Sequence, residues 1–185
     1  RRLSVSATDW VKNGDRWTVT GIASDGAIRA IHQTNRQTGI LPAANVVVDL
    51  EVGSKKRVFE QAGLLFENHH SIARATVYDA LFAREKLGST GLGQGVAIPH
   101  GRIKGLKEAI GAFFRLTTPV PYEAPDGQPV GMLFVMLVPE AANERHLQLL
   151  SELAQMFSDR TFREALAQAP DPAAIHRSFE QWAAN

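Results

Sequence analysis

The 185-residue chain contains no cysteine. That single absence excludes a disulfide framework, a Cys-type zinc site, an iron–sulfur cluster and a thiol nucleophile together. It suits a reducing cytoplasmic setting better than a secreted one. Long apolar runs are missing as well: no stretch approaches the ~18 residues needed to span a bilayer, so membrane insertion is not expected. Arg1-Arg2 leads into no apolar stretch of signal-peptide type, and the missing initiator Met points to a fragment or a processed start. Nor does one sign of charge dominate. The chain has 20 Lys and Arg against 19 Asp and Glu, a net charge of +1, which argues against a nucleic-acid protein driven by bulk electrostatics.

What is present suffices for one compact domain with an appendage. Hydrophobic residues make up 44%, and a chain of this size buries roughly 70% of its unfolded surface without staples. The charge is uneven. Residues 1–40 hold six Lys or Arg and three Asp or Glu, a balance of +3, whereas the remainder holds 14 and 16, a balance of −2. The two parts also differ in pattern. Arg16-Trp17-Thr18-Val19-Thr20 and Ala27-Ile28-Arg29-Ala30-Ile31 alternate around the turn residues Ser24-Asp25-Gly26, which predicts a β-hairpin. Two strands alone are marginal in water, so this piece is expected to lean on the main body, pair with a partner or stay partly mobile. Leu41-Pro42 marks the expected junction, giving an extension over 1–40 and a main domain over 41–185.

Beyond Ser54, an expected N-cap, Val58, Phe59, Ala62, Leu65 and Phe66 fall on one helical face. Ser71 is expected to cap a second helix with an inward stripe of Ala73, Val77, Leu81 and Arg84. A glycine-rich loop over 88–95 precedes a strand, Val96-Ala97-Ile98, and then Pro99-His100-Gly101. Extended runs at 109–116 and 132–138 flank a Pro/Gly-rich hairpin region that includes Asp126-Gly127. Asn143 is expected to cap an amphipathic helix carrying Leu150, Leu153 and Phe157. Helices over 161–168 and 172–184 end the chain. Helices, then strands, then helices predict an α/β fold, a layered α/β/α sandwich around a central mixed β-sheet.

Gly88 and Gly93 match the glycines of a phosphate-binding loop, but Gln94-Gly95 stand where Lys-Ser/Thr is required. The dinucleotide fingerprint fails too, because the loop leads into a strand rather than into a helix. Nucleotide binding is disfavoured, and the glycines alternatively only make tight turns. His100 is the sharper signal. Pro99 stiffens the backbone before it and Gly101 leaves space after it, so a strand end can expose an imidazole that is nucleophilic near neutral pH. His146 stands four residues before Leu150 and seven before Leu153, which aims it from the helix start toward the sheet, where the helix dipole favours an anion. Arg84 ends the second helix's inward stripe and there needs an anionic partner; snorkelling to solvent or a salt bridge beside Glu85 is the alternative. Two histidines 46 residues apart carry no zinc-site spacing. Ser89 or Ser151 with His100 lacks the nucleophile elbow of a hydrolase.

The run from Leu87 to Arg102, LGSTGLGQGVAIPHGR, resembles the active-site signature of the fructose/mannitol-type enzyme IIA of the bacterial phosphoenolpyruvate-dependent phosphotransferase system. The chain from about 41 to 184 is most similar to the family's nitrogen-regulatory branch. The resemblance implies that His100 is the phosphoryl acceptor and that His146, in Asn143-Glu144-Arg145-His146-Leu147, is the second active-site histidine. It likewise implies that Arg84, in Phe82-Ala83-Arg84-Glu85-Lys86-Leu87, is the active-site arginine. Ser89 and Thr90 are expected to assist in binding the phosphoryl group. No cofactor or metal is needed, because the donor is an activated phosphoprotein. Residues 1–40 depart from the family and weakly resemble a small β-barrel segment of conjugative relaxase–helicase proteins.

The implied function is that of a cytoplasmic phosphocarrier and regulatory protein. It would receive its phosphoryl group from an HPr-like phosphohistidine carrier and signal through phosphorylation-dependent binding to targets such as a sensor kinase or a potassium transporter. The alternative is a sugar-uptake enzyme IIA that passes the group to an enzyme IIB. No sugar-transporting domain follows Asn185, which favours regulation. A third reading has the basic extension bind nucleic acid by stacking on Trp10 and Trp17; burial of both tryptophans in a small hairpin core is preferred.

Overall fold

The computed structural model describes residues 17–22, 28–32, 40–141 and 144–182; for 17–22, 28–32 and 145 it describes the backbone alone. The alternating N-terminal runs form β1 (Trp17–Ile22) and β2 (Ile28–His32), an antiparallel pair with a register irregularity between Val19 and Gly21. The expected turn at Ser24–Gly26, Trp10 and the Trp17 side chain lie outside the described residues.

Six strands build the central sheet: β3 (Val46–Leu50), β4 (Gly91–Gly93), β5 (Val96–Ala97), β6 (His100–Ile103), β7 (Ile110–Val120) and β8 (Val130–Pro139). Their order is β3-β7-β8-β5-β4, and β6 also pairs with β8. The sheet is mixed. β7 and β8 are antiparallel, while β3 runs parallel to β7, and β5 and β6 run parallel to β8. The sequence predicts no element between Leu41-Pro42 and Ser54, whereas the structure places β3 there. Val46-Val47-Val48 is β-branched but does not alternate. Its extended form is secured by partners 67 residues away, Val46 opposite Phe113 and Val47 opposite Phe114.

Alternation along the two central strands divides the core. Leu133, Val135 and Leu137 of β8 face the side that holds Phe59, Phe66, Val77 and Leu81. Phe134, Met136 and Val138 face the side that holds Leu153, Phe157, Phe162 and Phe179. Helices α1 (Lys55–His70) and α2 (Arg74–Glu85) cover the first face; α3 (Glu144–Ser158), α4 (Arg160–Gln168) and α5 (Pro172–Gln181) cover the second. The fold is therefore an α/β/α sandwich around a mixed sheet, as the order of elements predicts.

Local chemistry sets the helix ends. Ser54 Oγ accepts the Arg57 N–H at 3.2 Å and starts α1, whose predicted stripe of Val58, Phe59, Ala62, Leu65 and Phe66 is buried throughout. Ser71 does not cap α2. It closes α1 in the left-handed region, at φ 56°, and α2 starts at Ala73 with no side-chain cap. The Glu67 carboxylate reaches across instead to accept the Arg74 N–H at 2.8 Å. Ala73 is correspondingly exposed. Asp159 caps α4 and Asp171 caps α5, with Pro172 at the first helical position. The expected cap of α3, Asn143, lies outside the described residues, as does the expected helical end at Ala184.

Candidate functional site

The segment before His100 is one strand interrupted. β5 pairs with Met132 and Leu133 of β8, and β6 resumes on the same neighbour with His100 opposite Met136. Between them Pro99 has no N–H to give the ladder, and Ile98 N–H turns away to the Thr90 carbonyl at 3.0 Å. His100 thus opens the second short strand rather than ending the first. Gly101 follows where α2 crosses β6: a Cβ at Gly101 would lie 2.9 Å from the Ala80 backbone carbon and the Ala80 Cβ. Glycine here lets the strand bearing His100 touch the helix bearing Arg84.

The hydrogen bonds fix the ring's protons. His100 Nδ1 lies 3.0 Å from the Ile98 carbonyl oxygen, which can only accept, so Nδ1 carries the hydrogen. Arg84 Nε can only donate, and it meets His100 Nε2 at 3.2 Å, so Nε2 presents a lone pair. The ring is therefore held neutral. Its half-buried position pushes its pKa below the usual histidine value, and the positive charges of Arg84 and Arg102 push the same way. The Ile98 bond and the Glu85 carboxylate oppose the shift without overcoming it.

Arg84 also donates from Nη1 to the Gly88 carbonyl at 3.0 Å. Both of its partners are neutral acceptors, in place of the anionic partner that the sequence leads one to expect, which leaves its charge available to an incoming anion.

These groups open onto a cavity of about 810 Å³ lined by Arg84, His100, Arg102, Glu144, His146 and Leu147, among others. The structure thus brings Arg84, His100 and His146 to one concavity from α2, β6 and the first turn of α3. His146 is half-buried. The buried stripe of α3 is Leu149, Leu153, Met156 and Phe157; His146 shares its azimuth one turn nearer the helix start, and with the half-buried Leu150 it lines the cavity.

Ser89 and Thr90 are not brought to this lining. Ser89 Oγ donates to the Tyr122 carbonyl at 2.9 Å, and the buried Thr90 donates its hydroxyl to Glu85 at 2.5 Å. The glycine-rich loop makes turns: Gly88, Gly93 and Gly95 all have positive φ, and Gly93 forms part of β4.

Two features were missed in the sequence. Glu85 is buried, and the signal was there: it continues the stripe of Val77 and Leu81 at four-residue steps, a charge on an apolar face. The basic Arg102 lies two residues beyond His100 and lines the same cavity. Among the described residues no group of three or more His, Asp or Glu is arranged to hold a metal ion, and no helix is long and apolar enough to cross a membrane.

A layered α/β domain that gathers a neutral histidine, an arginine and a second histidine at one cavity has the groups that phosphoryl transfer requires. The comparison with known sequences is specific: residues 39–182 match the profile of the phosphoenolpyruvate-dependent sugar phosphotransferase system, EIIA 2. The chain belongs to this family. It is 45% identical over 139 residues to a nitrogen regulatory protein of Pseudomonas aeruginosa, covering 75% of this chain and 90% of that one. It is 38% identical to a nitrogen regulatory protein of Escherichia coli K12, covering 67% and 77%. The crystal structure of nitrogen regulatory protein IIA-Ntr from Neisseria meningitidis superposes with a TM-score of 0.73 at 54% identity, covering 77% of this chain and 97% of that one. These relatives fit the nitrogen-regulatory branch, and a regulatory phosphocarrier role accords with them.

Proposed function

We propose that His100 is the phosphoryl acceptor and that the group arrives from the phosphohistidine of an HPr-like carrier. The observation that carries this reading is the pinned neutral ring, whose Nε2 lone pair points at Arg84 beside an open cavity. Nε2 attacks phosphorus, the bond from phosphorus to the carrier's ring nitrogen breaks, and that nitrogen leaves with the electron pair. Nε2 has no proton to lose, so no general base is required. Most of the acceleration in such a transfer comes from alignment and from charge placed at the equatorial oxygens. Arg84 can turn from the ring to those oxygens, and His146 approaches from the first turn of α3, where the helix dipole favours negative charge.

The rim suits a protein donor. Leu87 is 85% exposed and Leu147 is 69% exposed, both at the cavity, and exposed apolar side chains around a reactive group mark a docking face. A phosphoryl group would add about −1.5 to −2 charges there, enough to make or break a second contact. This supports a protein-histidine phosphotransferase with a mainly regulatory output, acting in the cytoplasm on targets such as a sensor kinase or a potassium transporter. Residues 41–185 would carry the transfer, and 1–40 would be a β-rich extension to it.

Incubation with phosphoenolpyruvate, enzyme I and an HPr-type carrier should add one acid-labile phosphoryl mass. His100→Ala should abolish it, and His146→Ala should slow it while His100 remains the labelled residue. Labelling that persists in His100→Ala overturns the assignment. Onward transfer to a sugar-specific enzyme IIB, without phosphorylation-dependent capture of a regulatory target, would favour uptake instead.

A further inference from the structure

Next to the arginine and histidine lies a buried ionic cluster that the transfer chemistry above does not use. Glu85 is 9% exposed. Its carboxylate takes Lys55 Nζ at 2.9 Å, the Thr90 N–H at 3.2 and 3.3 Å, and the Thr90 hydroxyl at 2.5 Å. Because a carboxylate only accepts, Thr90 Oγ1 spends its proton on Glu85, and its lone pair takes the Tyr122 O–H at 3.1 Å. Burial, followed by the negative charge of Glu85, drives the Tyr122 pKa far upward, so the phenol stays protonated and donates. Lys55 also sits 4.3 Å over the Tyr122 ring.

An ion pair with one partner buried rarely stabilises a fold more than apolar side chains of equal volume; this one, with Glu85 buried and Lys55 partly so, acts through what it holds. It holds Thr90, two residues beyond Gly88. The Gly88 carbonyl fixes Arg84 Nη1, and the Gly88 N–H donates to the Glu85 carbonyl at 3.1 Å. The Thr90 carbonyl takes the Ile98 N–H, and the Ile98 carbonyl takes His100 Nδ1–H. Both groups at the cavity are thus tied to the one segment that Glu85 clamps.

We propose that Glu85, neutralised by Lys55, is a positioning residue for phosphoryl transfer: by clamping Thr90 it sets the aim of Arg84 through Gly88 and the tautomer and orientation of His100 through Ile98. This builds on the reading of His100 as acceptor. Two variants of the full chain test it. Glu85→Gln keeps the volume but removes the charge and an acceptor; Thr90→Val keeps the shape and the N–H but removes the hydroxyl. In both, ring ¹⁵N NMR of unphosphorylated protein should show loss of the single Nδ1–H tautomer of His100. The kcat for phosphorylation by the carrier should fall about 10- to 100-fold. KM for the carrier should stay within about twofold, because the rim is untouched. A purely structural role would lower thermal stability and leave the tautomer alone.

An unaltered tautomer or an unaltered kcat in a folded variant overturns the proposal, and should Glu85→Gln not fold, Thr90→Val decides alone. If the wild-type protein takes no phosphoryl group, the function proposed above fails, while the tautomer measurement still decides whether Glu85 positions the ring.

Discussion

At the scale of the residue, the proposed transfer turns on which nitrogen of His100 carries no proton. A carbonyl behind the ring and a guanidinium in front select the neutral form with Nε2 unprotonated, and burial reinforces that form by disfavouring the cation. The rate of phosphoryl acceptance should therefore hold steady as pH falls past about 6.5, the ordinary histidine value, and decline only at the lower folded value; a pH–rate profile checks this. The same shift has a sign in stability. A group held neutral in the folded state binds fewer protons there than when unfolded, so its contribution is complete above about pH 6.5 and is lost as pH falls through the folded value. His70, whose pKa burial and the neighbouring His69 also lower, adds to the same trend. Urea midpoints at pH 7 and pH 5 should show the loss, and His100→Gln, lacking one of these titrations, should lose less. That His100, Arg84 and His146 come to one cavity was legible in the sequence from spacing and resemblance. The engagement of Ser89 and Thr90 by Tyr122 and Glu85 was not, because those partners lie 33 and 5 residues away and only folding sets them side by side.

At the scale of the element, α2 and β6 must touch for Arg84 to reach His100, and Gly101 is the point of contact. Gly101→Ala would drive a methyl to 2.9 Å of the Ala80 backbone and 3.1 Å of the Leu81 nitrogen, which only separation of helix and strand can relieve. The expected cost is about 1–3 kcal/mol in urea unfolding. The phosphorylation rate should also fall, since the Arg84–His100 bond spans this gap. A normal rate and stability for Gly101→Ala would show that the helix can slide without consequence. The helices themselves were readable from their apolar faces and from caps such as Ser54. The cap of α2 was not: the Glu67 carboxylate that serves it belongs to the preceding helix, and Ser71 is used to end that helix instead.

At the scale of the whole molecule, β7 and β8 are shared by two cores. The second is rich in rings: Phe179 of the final helix meets Phe113, Phe134, Phe157 and Phe162, with centroids between 5.2 and 6.1 Å. Phe179→Ala should cost about 3–5 kcal/mol by the cavity it leaves, measured by chemical denaturation. The folded variant should still accept a phosphoryl group, because Phe179 lines no part of the His100 cavity. The periodicity of the sequence by itself determined that helices flank a sheet, which face of the first helix is buried, and which histidine stands at a stiff break in a strand, because those properties follow from local spacing and backbone chemistry. Only the tertiary structure decided that β3 is a strand, that His146 and His100 line one cavity, and that Glu85 is buried against Lys55 beside the site. Each of these depends on partners distant along the chain, whose approach local propensity does not encode.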